Sequence, residues 1–326
     1  MNLKSEIRDL RSPLKLPLLA ALVLLSPLLS GCPLAYPRTH LPLESLLADY
    51  NVNAGKVPKL WARARLEIKG PVAYGSVSSL ATPTALLMLD KSAAAPGVPG
   101  QPNFLLLVRE IKEVMRLGVD APSGLYYFWV APGDRGQAWY GRQQYAGAPG
   151  VKAVPIDPAQ LVEILSVTEI APPGGGALPA IVMTCQAEPF AYVVRYVRPQ
   201  AVTGLPKVWR EVYFTWSDNA PPRPFRVRLF DADGLPRVTA ELSNYQPVEV
   251  AAGVPPLMPT EFTLVWPKIE GVQTACELKL SLSEMSTTHE FSGKAFEFWP
   301  HLPSGQCELT QVDASYGPVG REAVKP

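Results

Sequence analysis

Apolar and polar residues alternate repeatedly along this chain, and this pattern limits its fold more than any other feature of the sequence. In the stretch 277–283, Leu278, Leu280 and Leu282 are separated by Lys279 and Ser281. Successive side chains of a β-strand point to opposite faces of the sheet. The spacing therefore predicts a strand with one buried and one exposed face.

The same alternation recurs in four other stretches: 60–69, 226–229, 237–243 and 261–266. The sequence Asp-Ala-Asp-Gly at 231–234 predicts a hairpin turn between two of them. Twelve residues are predicted to share one apolar, cavity-facing side: Leu66, Ile68, Val227, Leu229, Val238, Leu242, Phe262, Leu264, Trp266, Leu278, Leu280 and Leu282. Further strands are predicted at 84–90, 104–110, 113–119, 125–131, 137–142, 180–185, 190–198, 207–217, 294–299 and 306–313.

Two helices are predicted among these strands. The first has an apolar stripe of four residues at i, i+3, i+4 and i+7: Leu43, Leu46, Leu47 and Tyr50. It is expected to break near 51–55, before Pro58. The second begins after Asp157, an N-cap residue that is followed by proline at the first helical position. Its apolar face consists of Leu161, Ile164 and Leu165.

Two helices are too few to cover the apolar face of so many strands in a flat sheet. The sequence therefore predicts a mainly β fold, in which a curled antiparallel sheet forms an incomplete β-barrel with one or two helices as a plug or lid. Short turns rich in Gly, Pro and Asp favour antiparallel neighbours. An incompletely filled barrel of this size leaves an apolar cavity that can hold a ligand.

The N-terminal region has the layout of an export signal. A charged segment, residues 1–15, precedes an uncharged, leucine-rich segment that ends at Leu29-Ser30-Gly31-Cys32. This ending has the form of a bacterial lipobox, so we expect residues 1–31 to be removed and Cys32 to carry lipid. The uncharged segment is shorter than the roughly 18 residues of a membrane-spanning helix. An ordinary secretory signal followed by a chance cysteine is the alternative.

Lipidation at Cys32 would make the membrane a partner of the mature chain. Each buried CH₂ of an acyl chain contributes about 0.8 kcal/mol, so two or three chains anchor a protein firmly. We therefore expect an extracytoplasmic, lipid-anchored protein. Pro33, in place of an aspartate after the cysteine, indicates the outer membrane facing the periplasm. The proline-rich residues 32–42 are expected to form a tether.

Composition and motifs argue against several classes of function. Removal of residues 1–31 deletes four basic and two acidic residues and leaves 26 Lys+Arg against 27 Asp+Glu. No run of five basic residues occurs, so no nucleic-acid partner is expected. The three histidines, His40, His289 and His301, do not form an HExxH pattern, and the chain has no G-x-S-x-G elbow or P-loop. We expect no enzyme, no cofactor and no metal site.

Three cysteines remain besides Cys32, an odd number that allows at most one internal disulfide. Cys276 and Cys307 are the preferred pair because each opens a predicted strand, and Cys185 would remain free. The bridge would close a loop of about 30 residues and contribute about 3–4 kcal/mol in the chain-entropy picture. Three buried free thiols are the alternative.

Two aromatic runs, 126–129 and 209–216, allow two interpretations. Aromatic residues are favoured in strands and fill cores, and they also contact lipids and carbohydrates. The sequence leaves both interpretations open.

Several segments, in this order, resemble the LolA/LolB lipoprotein-carrier superfamily: 58–68 after the first helix, 124–130, 138–141, 155–158, and 244–247 leading to 259–262. The resemblance covers most of residues 43–313. It implies an incomplete antiparallel β-barrel with a helical lid and an interior that accommodates acyl chains. The lipobox makes the chain similar to the anchored LolB branch. The insertion at 91–103 and the many prolines depart from the family pattern.

Four segments are predicted: 1–31 as signal peptide, 32–42 as tether, 43–314 as a LolA/LolB-like half-barrel domain, and 315–326 as a flexible tail. We expect a membrane-anchored lipoprotein that binds an apolar ligand, an acyl chain or the lipid of a lipoprotein, in the half-barrel cavity. The alternative is a structural or scaffolding envelope lipoprotein. In that case the interior is filled and the polar face binds another protein, which the sequence does not name.

Overall fold

The computed structural model of the protein describes residues 37–73, 76–93, 102–109, 113–131, 135–148, 150–152, 154–170, 180–199, 204–231, 233–268, 275–302 and 306–319. The chain divides into two units, Met1–Arg38 and Thr39–Pro326. The predicted signal peptide, the lipobox and Cys32 lie outside the described residues.

Two α-helices and fourteen strands make up the second unit within the described residues. The helices are α1 (Leu43–Gly55) and α2 (Pro158–Ile164). The strands are β1 (Lys59–Ala73), β2 (Ser76–Asp90), β3 (Asn103–Arg109), β4 (Glu113–Asp120), β5 (Leu125–Val130), β6 (Arg135–Arg142), β7 (Ala180–Ala187), β8 (Phe190–Pro199), β9 (Pro206–Thr215), β10 (Pro224–Phe230), β11 (Pro236–Pro247), β12 (Leu257–Trp266), β13 (Cys276–Ser286) and β14 (Gln306–Gln311). The second strand thus begins at Ser76, earlier than the predicted residue 84.

All fourteen strands belong to one sheet, in the order β14-β6-β5-β4-β3-β2-β1-β13-β12-β11-β10-β9-β8-β7. Neighbours are antiparallel except β14 and β6, which are parallel. The pairing of β1 with β13 joins an N-terminal series of strands to a C-terminal one. One row of inner residues crosses eight adjacent strands: Ile68, Leu278, Leu264, Ala240, Val227, Val212, Val194 and Met183.

The position of α2 requires the sheet to curl. This helix packs against β4 and β5, and the backbone carbonyl of its Glu163 accepts a hydrogen bond from Arg210 of β9. Nine strand spacings separate β5 from β9, which is about 43 Å in a flat sheet. A seven-residue helix is only about 10 Å long. The predicted fold class is confirmed, because the fold is mainly β, with one large sheet that does not close and only two helices.

The interior of the curled sheet is one buried apolar cluster. Helix α1 contributes Leu46, Leu47, Tyr50 and Ala54, and α2 with the residues next to it contributes Ile156, Leu161, Val162, Ile164 and Leu165. Both helices and most strands meet in this cluster, so it forms the main core. Each fully buried Leu, Ile or Val contributes about 1.5–3 kcal/mol relative to an exposed side chain.

The first helix is longer than the sequence predicted. It continues through Asn51 to Gly55, where a break was expected. Asparagine usually weakens a helix because its side chain competes for nearby backbone groups. Here the side chains of Asn51 and Asn53 instead bond to the backbone of Ile170 and Leu257, which are remote in sequence. Tertiary contacts therefore override the local tendency.

The predicted strand at 294–299 is wrong. This segment forms two 3₁₀ turns, Gly293–Phe296 and Trp299–His301. Phe296 and Phe298 are fully buried against the outer faces of the sheet at β2–β3 and β5–β6. Strands β3 and β5 are consequently buried on both faces, which explains why β3 is apolar from Phe104 to Val108 and why β5 has only aliphatic and aromatic residues.

Both predicted ends of the domain are extended by contacts. The Tyr192 hydroxyl donates to the carbonyl oxygen of Thr39, and the backbone N–H of Leu41 donates back to that hydroxyl. At the other end Arg142 donates to the carbonyl of Gly317, and Val319 is buried. Residues 39–42 of the predicted tether and 315–319 of the predicted tail therefore belong to the folded unit.

Candidate functional site

The twelve residues predicted to share an apolar side all lie in the interior cluster. None is more than 5% exposed, and Leu278 is fully buried. They meet the apolar faces of α1 and α2. We call α1, α2 and residues 165–170 the plug, since they occupy the concave side of the sheet. The twelve residues form an apolar wall, which shares one buried cluster with the plug.

Polar bonds at its ends hold the plug together. Lys91 donates from Nζ to the carbonyl oxygens of Ala54, at the end of α1, and of Val167, both at 2.8 Å. The Tyr50 hydroxyl donates to the carbonyl oxygen of Thr168 at 2.9 Å. Burial lowers the pKa of Lys91. A cation near the end of α1 also suits the negative end of the helix dipole.

The second plug helix begins as the sequence predicted. Asp157 is its N-cap and accepts a hydrogen bond from the backbone N–H of Ala159 at 2.9 Å. Burial raises the pKa of this carboxyl to about 6. The capping carboxyl therefore titrates close to physiological pH, unlike an exposed aspartate.

One cationic side chain lies within the apolar interior. Arg210 of β9 is only 5% exposed and lies on the same face as Val212 and Phe214. Its neighbours across the sheet are Tyr196 on β8 and Leu229 on β10. A guanidinium placed among such residues is costly to desolvate unless it is well hydrogen-bonded.

The bonding of Arg210 is incomplete. Its Nη2 donates to the carbonyl oxygen of Glu163 at 2.9 Å, and its guanidinium carbon lies 5.2 Å from the centre of the Tyr196 ring. Within the described part of the chain, three buried polar atoms near it have no hydrogen-bond partner: Arg210 Nε, Tyr196 OH and Glu163 Oε2. Such unsatisfied groups typically cost about 1–3 kcal/mol each.

The charge of this polar cluster is set by burial. Burial raises the pKa of Glu163, although Arg210 opposes this shift, so the carboxyl is biased toward its neutral form. Burial also raises the pKa of Tyr196, whose hydroxyl therefore stays protonated at neutral pH. The guanidinium is the group that keeps its charge.

Sequence reasoning missed Arg210, although its spacing carried the signal. In the predicted strand 207–217, Arg210 has the same parity as Val212 and Phe214 and so falls on the apolar side. A charged residue at an inward position of a strand is the pattern that would have found it.

The side chains of the first aromatic run, 126–129, pack on both faces of the sheet. Tyr126 and Phe128 belong to the interior cluster, whereas Tyr127 and Trp129 pack on the outer face beneath the C-terminal segment. The hydroxyl of Tyr127 donates to the carbonyl oxygen of Phe296 at 2.9 Å. Core filling accounts for these four residues.

The predicted Cys276–Cys307 bridge does not form. Cys185, Cys276 and Cys307 are all free thiols. Cys276 lies in the interior cluster, whereas Cys307 packs with the outer cluster on β14, seven places away in the sheet. The alternative of three buried free thiols agrees only in part, because all three thiols are free but only Cys276 is buried.

The histidines lie apart from one another. His40 Nε2 is 3.3 Å from Cys185 Sγ, His289 stacks on Trp61, and His301 Nε2 is 3.0 Å from the carbonyl oxygen of Lys294. Within the described ranges, no group of three His, Cys, Asp or Glu side chains could hold a metal ion.

A second concave surface has a different character. This groove, of about 770 Å³, lies at the ends of β11, β12 and β13. Glu249, Glu261 and Glu284 line it together with apolar residues that include Val248 and Leu282. Three carboxylates in the lining do not suit a buried acyl chain, so the interior is the better candidate for an apolar ligand.

No protein-family model and no curated protein sequence matches this chain. Three solved structures are similar to it over most of its length. A LolA superfamily protein from Nitrosomonas europaea is 11% identical, with a TM-score of 0.41, over 80% of this chain and 100% of that one. A DUF1329 family protein from Desulfovibrio piger is 10% identical, with a TM-score of 0.43, over 80% and 99%. An outer membrane lipoprotein-sorting protein domain from Vibrio parahaemolyticus is 11% identical, with a TM-score of 0.40, over 78% and 95%.

These likenesses concern the fold, and the assignment of a site rests on the geometry described above. In the part of the chain that the structure describes, no helix is both long enough and apolar enough to cross a membrane.

Proposed function

We propose that this protein is a non-enzymatic, membrane-anchored bacterial lipoprotein that binds an apolar ligand, an acyl chain or the lipid of a lipoprotein, inside its incomplete barrel. One observation carries the proposal: the apolar wall, which a row of inner residues continues across eight adjacent strands, shares one buried cluster with a separate plug that contains two short helices. A cover of this kind can give way to another apolar molecule without breaking the sheet.

A ligand would enter between the plug and the wall. The wall residues are already in contact with the plug, so binding requires plug side chains to move aside. Each CH₂ that an acyl chain buries contributes about 0.8 kcal/mol, which offsets the apolar contacts that the plug gives up. The hydrogen bonds that Lys91 and Tyr50 make lie at the ends of the plug, so a ligand can displace plug side chains without breaking all of these bonds at once.

The anchor would keep this interior near a bilayer. Cys32 precedes Thr39, the first residue of the folded unit, by seven residues. Seven residues span at most about 25 Å. Acylation of Cys32 would thus place the domain within reach of membrane lipids, in the outer membrane facing the periplasm as Pro33 suggests.

The test uses the full chain purified from membranes and transferred to a mild detergent. Lipid extracted from the protein is identified by mass spectrometry, and binding of a fluorescent fatty acid is measured with and without an unlabelled competitor. We expect a co-purifying lipid and binding that the competitor displaces. Absence of both would contradict the proposal.

A pair of neighbouring substitutions locates the site. Leu264→Ser changes the interior wall, and Val265→Ser changes the next residue, which is 43% exposed on the other face. We expect weaker probe binding only for Leu264→Ser, with circular dichroism confirming that both variants fold. Equal probe binding by the two variants would place the ligand elsewhere.

A scaffolding lipoprotein is the second candidate, because the side chains of the plug and the wall are already buried in one cluster that fills the interior. In that case the interior binds nothing, and the groove lined by Glu249, Glu261 and Glu284 is the surface available to a protein partner. Crosslinking in intact cells distinguishes scaffolding from binding of an apolar ligand. A specific crosslinked protein without bound lipid would support scaffolding.

A further inference from the structure

We infer that Arg210 and Tyr196 form a subsite for the anionic end of an amphiphile whose acyl chain occupies the interior. The inference rests on the proposed function, since it assumes that an acyl chain enters the barrel. It adds the chemical class of the ligand, a single chain that ends in a carboxylate or phosphate.

The first step concerns the placement of the cation. Arg210 lies on the inner face of β9, flanked by Tyr196 and Leu229, and is 5% exposed. Its hydrogen-bond partners are uncharged groups: the backbone carbonyl of Glu163, at 2.9 Å, and the hydroxyl of Tyr50. No ion pair joins it to a carboxylate among the residues the structure describes. A buried guanidinium with this bonding retains the capacity to bind an anion.

The second step concerns the free donors. Arg210 Nε and Tyr196 OH are both buried and both lack an acceptor among the described residues. Tyr196 faces Arg210 directly across β8 and β9, with the guanidinium over its ring. Two donors on adjacent strands suit the two oxygens of one carboxylate or phosphate group.

The third step concerns Glu163, whose carboxyl is the nearby group that could repel an anion. Its Oε2 is buried and has no hydrogen-bond partner among the described residues. Burial raises the pKa of this carboxyl, so it is biased toward the protonated form, which is a hydrogen-bond donor. A protonated Glu163 would add a third donor to the subsite.

The surroundings of the subsite supply the specificity for an amphiphile. Val194, Val212 and Leu229 continue the apolar wall beside the subsite. A small hydrophilic anion would accept the hydrogen bonds but would make no apolar contacts with this wall. An acyl chain with an anionic end matches both parts at once.

The test compares decanoate with methyl decanoate, which share a chain and differ in the charge of one end. Binding of each to the full chain is measured by displacement of a fluorescent fatty acid. We expect decanoate to bind about 10- to 100-fold more tightly, as charge-assisted hydrogen bonds allow. Decyl phosphate shows whether the subsite prefers phosphate over carboxylate.

Substitutions assign the preference to the subsite. Arg210→Met is expected to weaken decanoate binding about 10- to 100-fold and to leave methyl decanoate nearly unchanged. Arg198→Met is the matched control, because Arg198 is exposed on β8. Tyr196→Phe removes only the hydroxyl group and should reduce the preference for decanoate over methyl decanoate about 3- to 10-fold. This variant tests the subsite even if Arg210→Met does not fold.

Glu163→Gln tests the role of the third donor. A glutamine keeps a donor and cannot ionise, so decanoate should bind about as tightly as to the wild type, and a large loss of decanoate binding would exclude Glu163 from the subsite. Equal affinity of the wild type for decanoate and methyl decanoate, or an unchanged preference in Tyr196→Phe and Arg210→Met, would overturn the inference and leave the proposed function standing. Failure of both ligands to bind would instead overturn the proposed function.

Discussion

The side-chain amide of Asn51 satisfies both backbone groups of Ile170. Its Nδ2 donates to the carbonyl oxygen of Ile170 at 2.8 Å, and its Oδ1 accepts from the Ile170 N–H at 2.7 Å. Asn53, two residues further along α1, pairs with Leu257 of β12 in the same way, at 2.8 and 2.9 Å. These asparagines tie α1 to the rest of the plug on one side and to the sheet on the other.

Asn51→Ala should lower the free energy of unfolding by about 1–3 kcal/mol, because it leaves two partly buried backbone groups unpaired. Val52→Ala is the matched control, since Val52 lies between the two asparagines and is 63% exposed. It should change stability by no more than about 0.5 kcal/mol. Urea unfolding of both variants measures the difference, and equal stabilities would show that the pair contributes nothing.

Gly118→Ala should destabilise the protein by about 1–3 kcal/mol through overpacking. A Cβ at this position would lie 2.5 Å from the Tyr127 hydroxyl oxygen and 2.8 Å from the Phe104 carbonyl oxygen. Gly293→Ala is the control, because a Cβ there meets no atom within 4 Å. Thermal unfolding compares the two variants. A melting temperature of Gly118→Ala as high as that of Gly293→Ala would mean that β4 and β5 can separate at low cost.

The stability of the protein should depend on Asp157 between pH 7 and pH 5. The folded pKa of about 6 lies above the value of about 3.9 expected for an unfolded chain. The folded state therefore binds the proton more tightly, and its stability rises as the pH falls from 7 toward 4. The gain from pH 7 to pH 5 should be about 1 kcal/mol.

Asp157→Asn removes this pH dependence and keeps an oxygen to cap α2. Urea unfolding should therefore show that the stability of the wild type, relative to this variant, increases as the pH falls from 7 to 5. Asp313→Asn provides the contrast. Burial works against ionisation of Asp313, but hydrogen bonds from Arg142 and Gln311 outweigh it and lower the pKa of this carboxyl. The difference in unfolding free energy between Asp313→Asn and the wild type should therefore stay constant between pH 7 and pH 5. A constant difference for Asp157→Asn as well would refute the raised pKa of Asp157.

Cys32→Ser should release the protein from the membrane without unfolding it, since the folded unit begins at Thr39. Fractionation of cells that express the full chain measures the change, with the variant expected in the soluble extracytoplasmic fraction. Cys185→Ser is the control, because Cys185 is an exposed thiol within the fold. Continued membrane association of Cys32→Ser would rule out a lipid anchor at this residue.

The strands and the start of α2 could be predicted because their signals are local. A strand such as 277–283 repeats every two residues, and Asp157-Pro158 places a cap beside the first turn of its helix. The same local logic predicted twelve residues that the fold brings into one cluster. The register that aligns Leu278 with Ile68 joins residues more than two hundred positions apart, and periodicity carries no information about it.

The sequence by itself determined which face of the five alternating strands is apolar, and therefore that the fold needed a curled sheet with a cover. The tertiary structure alone decided that α1 continues past Asn51, that 294–299 covers the outer face, and that Arg210 has a buried donor without an acceptor in the part of the chain that the structure describes. The physical reason is that propensity and periodicity act between near neighbours along the chain. Hydrogen-bond partners and packing faces are set by residues that meet only after the sheet has formed.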